Sequence, residues 1–429
     1  MARYEKYKDS GIQWIGEVPE HWKNVPVSAL FREFSDKGHP DFNVLSVYRE
    51  YGVIEKDSRD DNHNVTSENT EGYKAVDIGD FVINKMKAWQ GSMGVSDFKG
   101  IVSPAYITCR FRTTEHNRKF IHHLLRSQSY INHYNRLSDG VRVGQWDMHF
   151  EDFKRLRVFL PTRDEQDRIV SFIDSSLAEI DKAIAQQQRM IDLLNERKQI
   201  IIQNAVTKGL DPNAPMKDSG VRWIGLCPAD WEVVSMKRVA QIVLGKMLQD
   251  VPKQHTDSLE AYFCAKDIHF SGIDTSDLKK MYFSPEEKTQ LEIKKGDLLI
   301  VEGGAAGSAA LMTEDISSVY IQNSVFRVRS RGKLSMSFLR YFMFHLVKAG
   351  YIDSVCNKAT LPHYTKEKVG STPVCVPSES EQSAIIEYLD EECGRINIEI
   401  KKRESIITSL RERKRIIIND VVTGKIKVS

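Results

Sequence analysis

KDSGIQWIGEVPEHW occupies residues 8–22, and KDSGVRWIGLCPADW occupies residues 217–231. A phrase this specific does not recur by chance, so the chain reads as an internal duplication. About 140 residues of mixed strand and helix signals follow the first copy. LPTRDEQDRIVSFID (160–174) then opens a long charged helix that ends in ERKQIIIQNAVTKG (196–209). The second copy keeps this order, with VPSESEQSAIIEYLD at 376–390 and ERKRIIINDVVTGK at 412–425. The stretches between match poorly, apart from anchors such as DIGDFVINK (77–85) beside KKGDLLIVE (294–302). One frame therefore holds two different inserts.

Each late segment carries a narrow apolar seam. Alternate steps of three and four pick out Val170, Ile173, Leu177, Ile180, Ile184, Gln187, Ile191, Leu194, Lys198, Ile201 and Ala205. An offset of 216 residues gives Ile386, Leu389, Cys393, Ile396, Ile400, Arg403, Ile407, Leu410, Lys414, Ile417 and Val421. Nine of eleven positions are apolar in both, and the polar exceptions fall at the same places. A spacing of this kind held over five heptads predicts a supercoiled helix pair in which each seam is the other's partner.

The charges choose a direction. Antiparallel pairing brings the mid-seam residues Gln187 and Arg403 together, and a polar pair of that kind fixes register. It also sets Lys198 across from Glu392, and Lys414 near Ser176 and Glu179. Parallel pairing stacks Lys198 on Lys414. Antiparallel helices are therefore expected. By pseudo-symmetry the C-terminal VTGKIKVS then lies beside the first KDSG phrase, as VTKGLDPNAPM (206–216) leads into the second. Trp14, Trp22, Trp223 and Trp231 read as wedges between insert and helix end; the alternative is a set of binding anchors.

Composition narrows the class. The 429 residues suit two or three domains; 41% are hydrophobic and 28% charged, and no apolar run approaches a bilayer span. The polar N-terminus leads us to expect a cytoplasmic protein. The six cysteines are scattered without metal-ligand spacing, and His122–His123 sits in an amphipathic helix signal. A net charge of +2 excludes nucleic-acid binding by bulk charge, so any such partner requires basic groups gathered on one face.

No catalytic motif emerges. There is no phosphate loop, no G-x-S-x-G elbow and no H-E-x-x-H pair. VEGGAAGSAAL (301–311) lacks a lysine and reads as a tight hairpin. SPAY (103–106) has Ser where the N/D-P-P-Y/F motif of amino-methyltransferases has Asn or Asp, and Ala for its second proline, which removes the group that would hold the target amine. Glu292-Ile-Lys294 resembles a nuclease fragment but is too short to carry weight.

What remains are clusters of basic, amide and aromatic residues in both inserts, the types that neutralise phosphates and read base edges. In the first insert these are Lys85, Lys87, Trp89 and Gln90 after a strand, then Tyr106, then Arg142, Gln145, Trp146 and His149. The helix signal at 119–137 adds Arg126 and Arg136. The second insert offers Lys266 and His269, Gly303 and Gly304 in the turn matching KMKAWQGS, Gln322 and Asn323, and finally Lys358, His363, Tyr364 and Lys366. No residue is assigned to catalysis or to a metal.

The doubled phrase, VTKGLDP (206–212), GDFVINKMKAWQGS (79–92), LSVYREYG (45–52), NKATLPHYTKEKVG (357–370) and the two EQ-initiated helices together resemble the specificity subunit of a type I restriction-modification system. The resemblance spans essentially the whole chain. It implies a non-catalytic subunit whose two target-recognition domains each read half of a bipartite, asymmetric DNA site. Two antiparallel helices would set the spacing. Two modification subunits would dock and methylate adenines with S-adenosylmethionine, and two restriction subunits would use ATP and magnesium. The fold expected is α+β: two mixed recognition domains (1–160 and 209–375) with twisted sheets, each followed by a spacer helix (161–208 and 376–429). A coiled-coil scaffold with no DNA role is the alternative; a self-sufficient DNA enzyme is opposed by the missing motifs.

Overall fold

The computed structural model describes residues 2–58, 69–137, 147–356 and 363–428. It separates into two compact units, Met1–Gln188 with Glu404–Ser429, and Arg189–Arg403. The boundary falls inside both long helices, Arg163–Lys208 and Glu379–Val422. Each unit therefore holds one insert together with part of each helix. Among the described residues, no helix is long and apolar enough to cross a membrane.

The repeated phrase folds identically in both units. Tyr7–Asp9 pairs antiparallel with Glu17–Pro19, and Met216–Asp218 pairs with Leu226–Pro228. The Asp and Ser of KDSG accept backbone N–H groups across the turn, and glycine takes the left-handed position (φ 72° at Gly11, 67° at Gly220). The lysine reaches forward: Lys8 Nζ lies 2.7 Å from the Trp22 carbonyl, and Lys217 Nζ 2.5 Å from that of Trp231.

Trp22 and Trp231 are each 1% exposed. Their indole N–H groups donate to Glu165 (3.3 Å) and Glu381 (3.2 Å), the glutamates of the two EQ pairs. The adjacent glutamines extend the joint. Gln166 accepts from Asn117 N at 2.8 Å, and Gln382 accepts from Ser335 N at 2.7 Å. Asn117 and Ser335 are the N-cap residues of insert helices Arg118–Leu125 and Met336–Lys348. Each EQ pair thus ties phrase, insert and long helix together. These two tryptophans are packing wedges. Trp14 stacks on His133 at 4.2 Å, and Trp223 meets Tyr351 edge-on at 6.3 Å.

The end of each long helix returns to a phrase. A Cβ on Gly424 would come 2.4 Å from Pro19, and one on Gly209 3.3 Å from Trp231. The two chain ends are bridged, with Lys427 N donating to Ala2 O at 2.9 Å.

Both inserts are built on one antiparallel sheet order. In the first unit it runs Phe31–Phe34, Tyr106–Phe111, Phe81–Asn84, Met93–Val95. In the second it runs Ala240–Leu244, Val325–Ser330, Leu298–Val301, Ala309–Leu311. The shared glycine-aspartate anchors have a physical reason. Asp80 and Asp297 are 4% and 1% exposed, and each receives two bonds from an arginine on the neighbouring strand. Arg110 meets Asp80 at 2.9 and 2.8 Å; Arg329 meets Asp297 at 2.6 and 2.7 Å. The second unit adds a three-stranded sheet in which Ser258–Phe263 pairs antiparallel with Lys279–Phe283 and parallel with Val319–Ile321. Among the described residues the first has a hairpin, Leu45–Tyr48 with Gly52–Glu55, a strand pair, Lys74–Val76 with Gly100–Val102, and a parallel bridge between Val44 and Ile101.

The helix expected over 119–137 is broken into Arg118–Leu125 and Gln128–Leu137. At 3.6 residues per turn, Phe120, Ile121, Leu124 and Leu125 would lie on a different face of one continuous helix from Tyr130 and Tyr134. The break at Arg126–Ser127 turns both sets into one core.

All twenty-two seam positions are buried or half-buried. In each unit the helices run antiparallel, because the start of one and the end of the other meet at the same tryptophan, Glu165 and Gly424 at Trp22 and Glu381 and Gly209 at Trp231. In the first unit Lys414 Nζ pairs with Asp181 at 2.6 Å; in the second Lys198 Nζ meets Asn397 at 2.8 Å. These partners correct the sequence expectation, which set Lys198 across from Glu392 and Lys414 near Ser176 and Glu179. Glu392 is engaged by Arg395 at 2.7 Å and Arg197 at 3.9 Å. Helical side chains lean toward their own N-terminus. In antiparallel helices this lean moves each partner a few residues further along, as both contacts show. Arg403 pairs with Glu399 at 2.8 Å on its own helix.

Candidate nucleic-acid interface

Part of the candidate set gathers at the end of the sheet's third strand in each unit. In the first unit, Phe81–Asn84 runs directly into a short 3-10 helix, Lys85–Gln90, which carries Lys85, Lys87, Trp89 and Gln90. The sequence suggested a plain turn here. The helix is closed by Gly91 (φ 85°), where a Cβ would lie 2.6 Å from Ile131 Cδ1, so Gln128–Leu137 packs tightly beneath it. Lys87 is exposed; Lys85, Trp89 and Gln90 are half-buried. Tyr106 stands opposite Asn84 on the adjacent strand. Burial raises its phenol pKa, and its carbonyl accepts Lys74 Nζ at 2.6 Å. Lys74 was not singled out from sequence; burial lowers its ammonium pKa.

His149 joins this group through its neighbour, because Met148 N donates to the Lys85 carbonyl at 3.0 Å. His149 is exposed at the start of helix Phe150–Phe153. Asp147, also missed from sequence, lies 3.4 Å from Lys85. Arg142, Gln145 and Trp146 lie outside the described residues. Arg126 serves the fold: it donates to the Arg49 carbonyl at 2.5 Å and lies 2.7 Å from His122 Nε2. Burial pushes its guanidinium down to about 10 and holds His122 well below its usual range.

In the second unit, Leu298–Val301 leads into Glu302 and the glycine turn. Gly303 is bridged to His363, and Gly304 is exposed with φ 77°. Tyr364 N donates to the Glu302 carbonyl at 2.7 Å, matching Met148 on Lys85. Gln322 and Asn323 are half-buried and bonded to each other at 2.5 Å. Asn323 N also donates to the Lys246 carbonyl at 2.8 Å. His269, His363 and Lys366 are exposed. Lys358 lies outside the described residues.

Two assignments change. Tyr364 is fully buried with its hydroxyl bonded to Thr372, and desolvation raises its pKa. It packs the insert, and we remove it from the candidate contacts. Lys266 is half-exposed but lies 3.7 Å from Asp267 and 3.8 Å from Asp277. Its charge is countered locally. Lys246, which sequence reasoning overlooked, is bonded to Glu287 beneath the Phe283 ring.

The family model described as the type I restriction modification DNA specificity domain matches residues 19–188 and again residues 228–407. The chain belongs to this specificity-domain family. The type I restriction enzyme MjaVIII specificity subunit of Methanocaldococcus jannaschii is 26% identical over 294 residues. That match covers 64% of this chain and 63% of the relative, under two thirds of its length. The putative MjaX specificity subunit of the same organism is 22% identical over 444 residues, covering 96% of each. The specificity-subunit fold is also seen in solved structures. A chain from a structural study of type I R-M complex assembly has a TM-score of 0.69 at 16% identity, covering 95% of this chain and 99% of its own. The HsdS subunit from Thermoanaerobacter tengcongensis has a TM-score of 0.51 at 16% identity, covering 95% and 98%. The two family matches fall one on each insert, so this specificity chain carries the domain twice.

Proposed function

We propose that the chain is the non-catalytic DNA-reading subunit of a type I restriction-modification complex, in which each unit reads one half of a bipartite, asymmetric site. One observation supports this above others. Two units with the same sheet order present different residues at the same strand end: Lys85, Lys87, Trp89 and Gln90 in one, Glu302, Gly303 and Gly304 in the other. A common scaffold with unlike loops suits two unlike half-sites. Among these strand-end residues Lys87, Trp89 and Gln90 are of the types that meet phosphates and base edges. In this reading the helix pair sets the spacing between half-sites and docks two methyltransferase subunits, and two restriction subunits complete the complex. S-adenosylmethionine, ATP and magnesium belong to those partners. A helix of 46 residues is about 69 Å long, commensurate with contacts roughly 34 Å apart on DNA.

Exchange of residues 23–155 for those of a relative tests the reading. The complex with the methyltransferase partner should then methylate a site altered in one half only; a change in both halves, or in neither, defeats it. Lys85→Ala should weaken binding of the assembled complex to its site, and Lys266→Ala should weaken it less, given its acidic neighbours. Deletion of residues 184–190 together with 400–406 should shorten the gap between half-sites in any variant that still assembles.

A further inference from the structure

At equivalent points of the two inserts a short strap, Asp147–Met148 in the first and His363–Tyr364 in the second, is fastened to the sheet in the same way. Met148 N donates to Lys85 O at 3.0 Å, and Tyr364 N donates to Glu302 O at 2.7 Å. Both fastened side chains are fully buried. The residue just before each then reaches the side chain of the same strand-end residue. Asp147 lies 3.4 Å from Lys85, and His363 lies 3.0 Å from Glu302. The geometry repeats, but the charges are reversed: cation on the strand end and anion on the strap in the first unit, anion on the strand end and a basic imidazole on the strap in the second. Lys368 Nζ, on the helix that follows, donates to the His363 carbonyl at 2.9 Å and holds this end of the strap.

Phosphate is met by cations and neutral hydrogen-bond donors, not by a carboxylate. The strand-end position is basic in one unit and acidic in the other, while its pairing with the strap persists. From this we infer that Lys85–Asp147 and Glu302–His363 are homologous positioning contacts of opposite polarity. Each holds its strap against the turn carrying the unit's candidate DNA contacts, and Lys85 acts through this contact and not by touching DNA. The inference rests on the proposed DNA-reading role. It assigns Asp147 and Glu302, acidic residues that would otherwise oppose DNA binding, a supporting part in recognition.

The sign of the effect tests it. Asp147→Lys and Glu302→Lys each add positive charge beside the proposed interface. A purely electrostatic role predicts tighter binding from both. The positioning role predicts weaker binding, about three- to tenfold, because both variants lose the contact that holds the strap and Asp147→Lys also sets two lysines face to face. The complex with its methyltransferase partner is titrated with a duplex carrying the site that the wild-type complex methylates. Discrimination against a duplex changed in either half-site is measured alongside. Lys85→Glu/Asp147→Lys should recover most of the affinity lost by either single variant, and Glu302→Lys/His363→Asp should be tolerated in the second unit. Each single variant should affect only its own half-site. Tighter or unchanged binding by the single variants, or no recovery in the doubles, overturns the inference. Should the reversals disturb folding in a thermal melt, Asp147→Asn and Glu302→Gln carry the same sign test. A wild-type complex that prefers no site would overturn the DNA-reading role itself, which keeps the two failures apart.

Discussion

The two units share a skeleton and differ in how they spend charge. Wedge tryptophan, EQ joint, aspartate–arginine staple and strap recur at matching positions. Around them the first unit leaves Lys87 exposed and carries half-buried histidines on and beside its helices. The second sets Lys246, Lys266 and His363 against Glu287, Asp267, Asp277 and Glu302. What recurs is what every insert needs in order to attach to the frame. What differs lies around the strand end and the loops beside it, outside those shared joints.

The largest effect should come from the wedge. Trp22→Ala and Trp231→Ala should each cost about 3–5 kcal/mol in denaturant unfolding, since each removes a fully buried indole and its bond to the EQ glutamate. A small loss in one unit only would break the equivalence. Next comes the staple. Asp80→Ala and Asp297→Ala should cost about 1–3 kcal/mol, discounted because both arginines are about one-third exposed. Asp297→Ala should cost more, because Arg110 keeps Asp77 at 3.0 Å whereas Arg329 is left only a backbone carbonyl, that of Glu292, at 3.3 Å.

Acidification should separate the units. Burial lowers the pKa of His116, His122, His123 and His133 in the first, His123 to about 4. In the second, among the described residues, it lowers that of His345. These rings stay neutral when folded but take protons when unfolded, near pH 6.5. Stability is therefore retained above that pH and lost as pH falls through it toward the folded values. By pH 5 each fully shifted ring should cost roughly 1–2 kcal/mol. Hydrogen exchange at pH 7, 6 and 5 should show the first unit loosening before the second; equal loosening would remove the distinction. The smallest effect belongs to the helix pair. Lys414→Ala and Lys198→Ala should each cost about 0.2–1 kcal/mol. Only the Lys414 value should fall with added salt, because Lys414 pairs with the carboxylate of Asp181 and Lys198 with the amide of Asn397.

Local pattern carried the frame a long way. The doubled phrase gave the duplication, the three-four spacing gave both helices and their buried faces, and Lys198 with Lys414 ruled out parallel pairing. Such features are legible because periodicity records which side of an element is covered, and like charges exclude a register without coordinates. Tertiary structure decided the rest. It buried Tyr364 against Thr372, bound Lys266 between two aspartates, broke the 119–137 helix, moved Lys198 from Glu392 to Asn397 and set Asp147 against Lys85. Each of those outcomes depends on atoms brought together by the fold, often from distant parts of the chain, and on the lean of side chains, neither of which residue spacing contains.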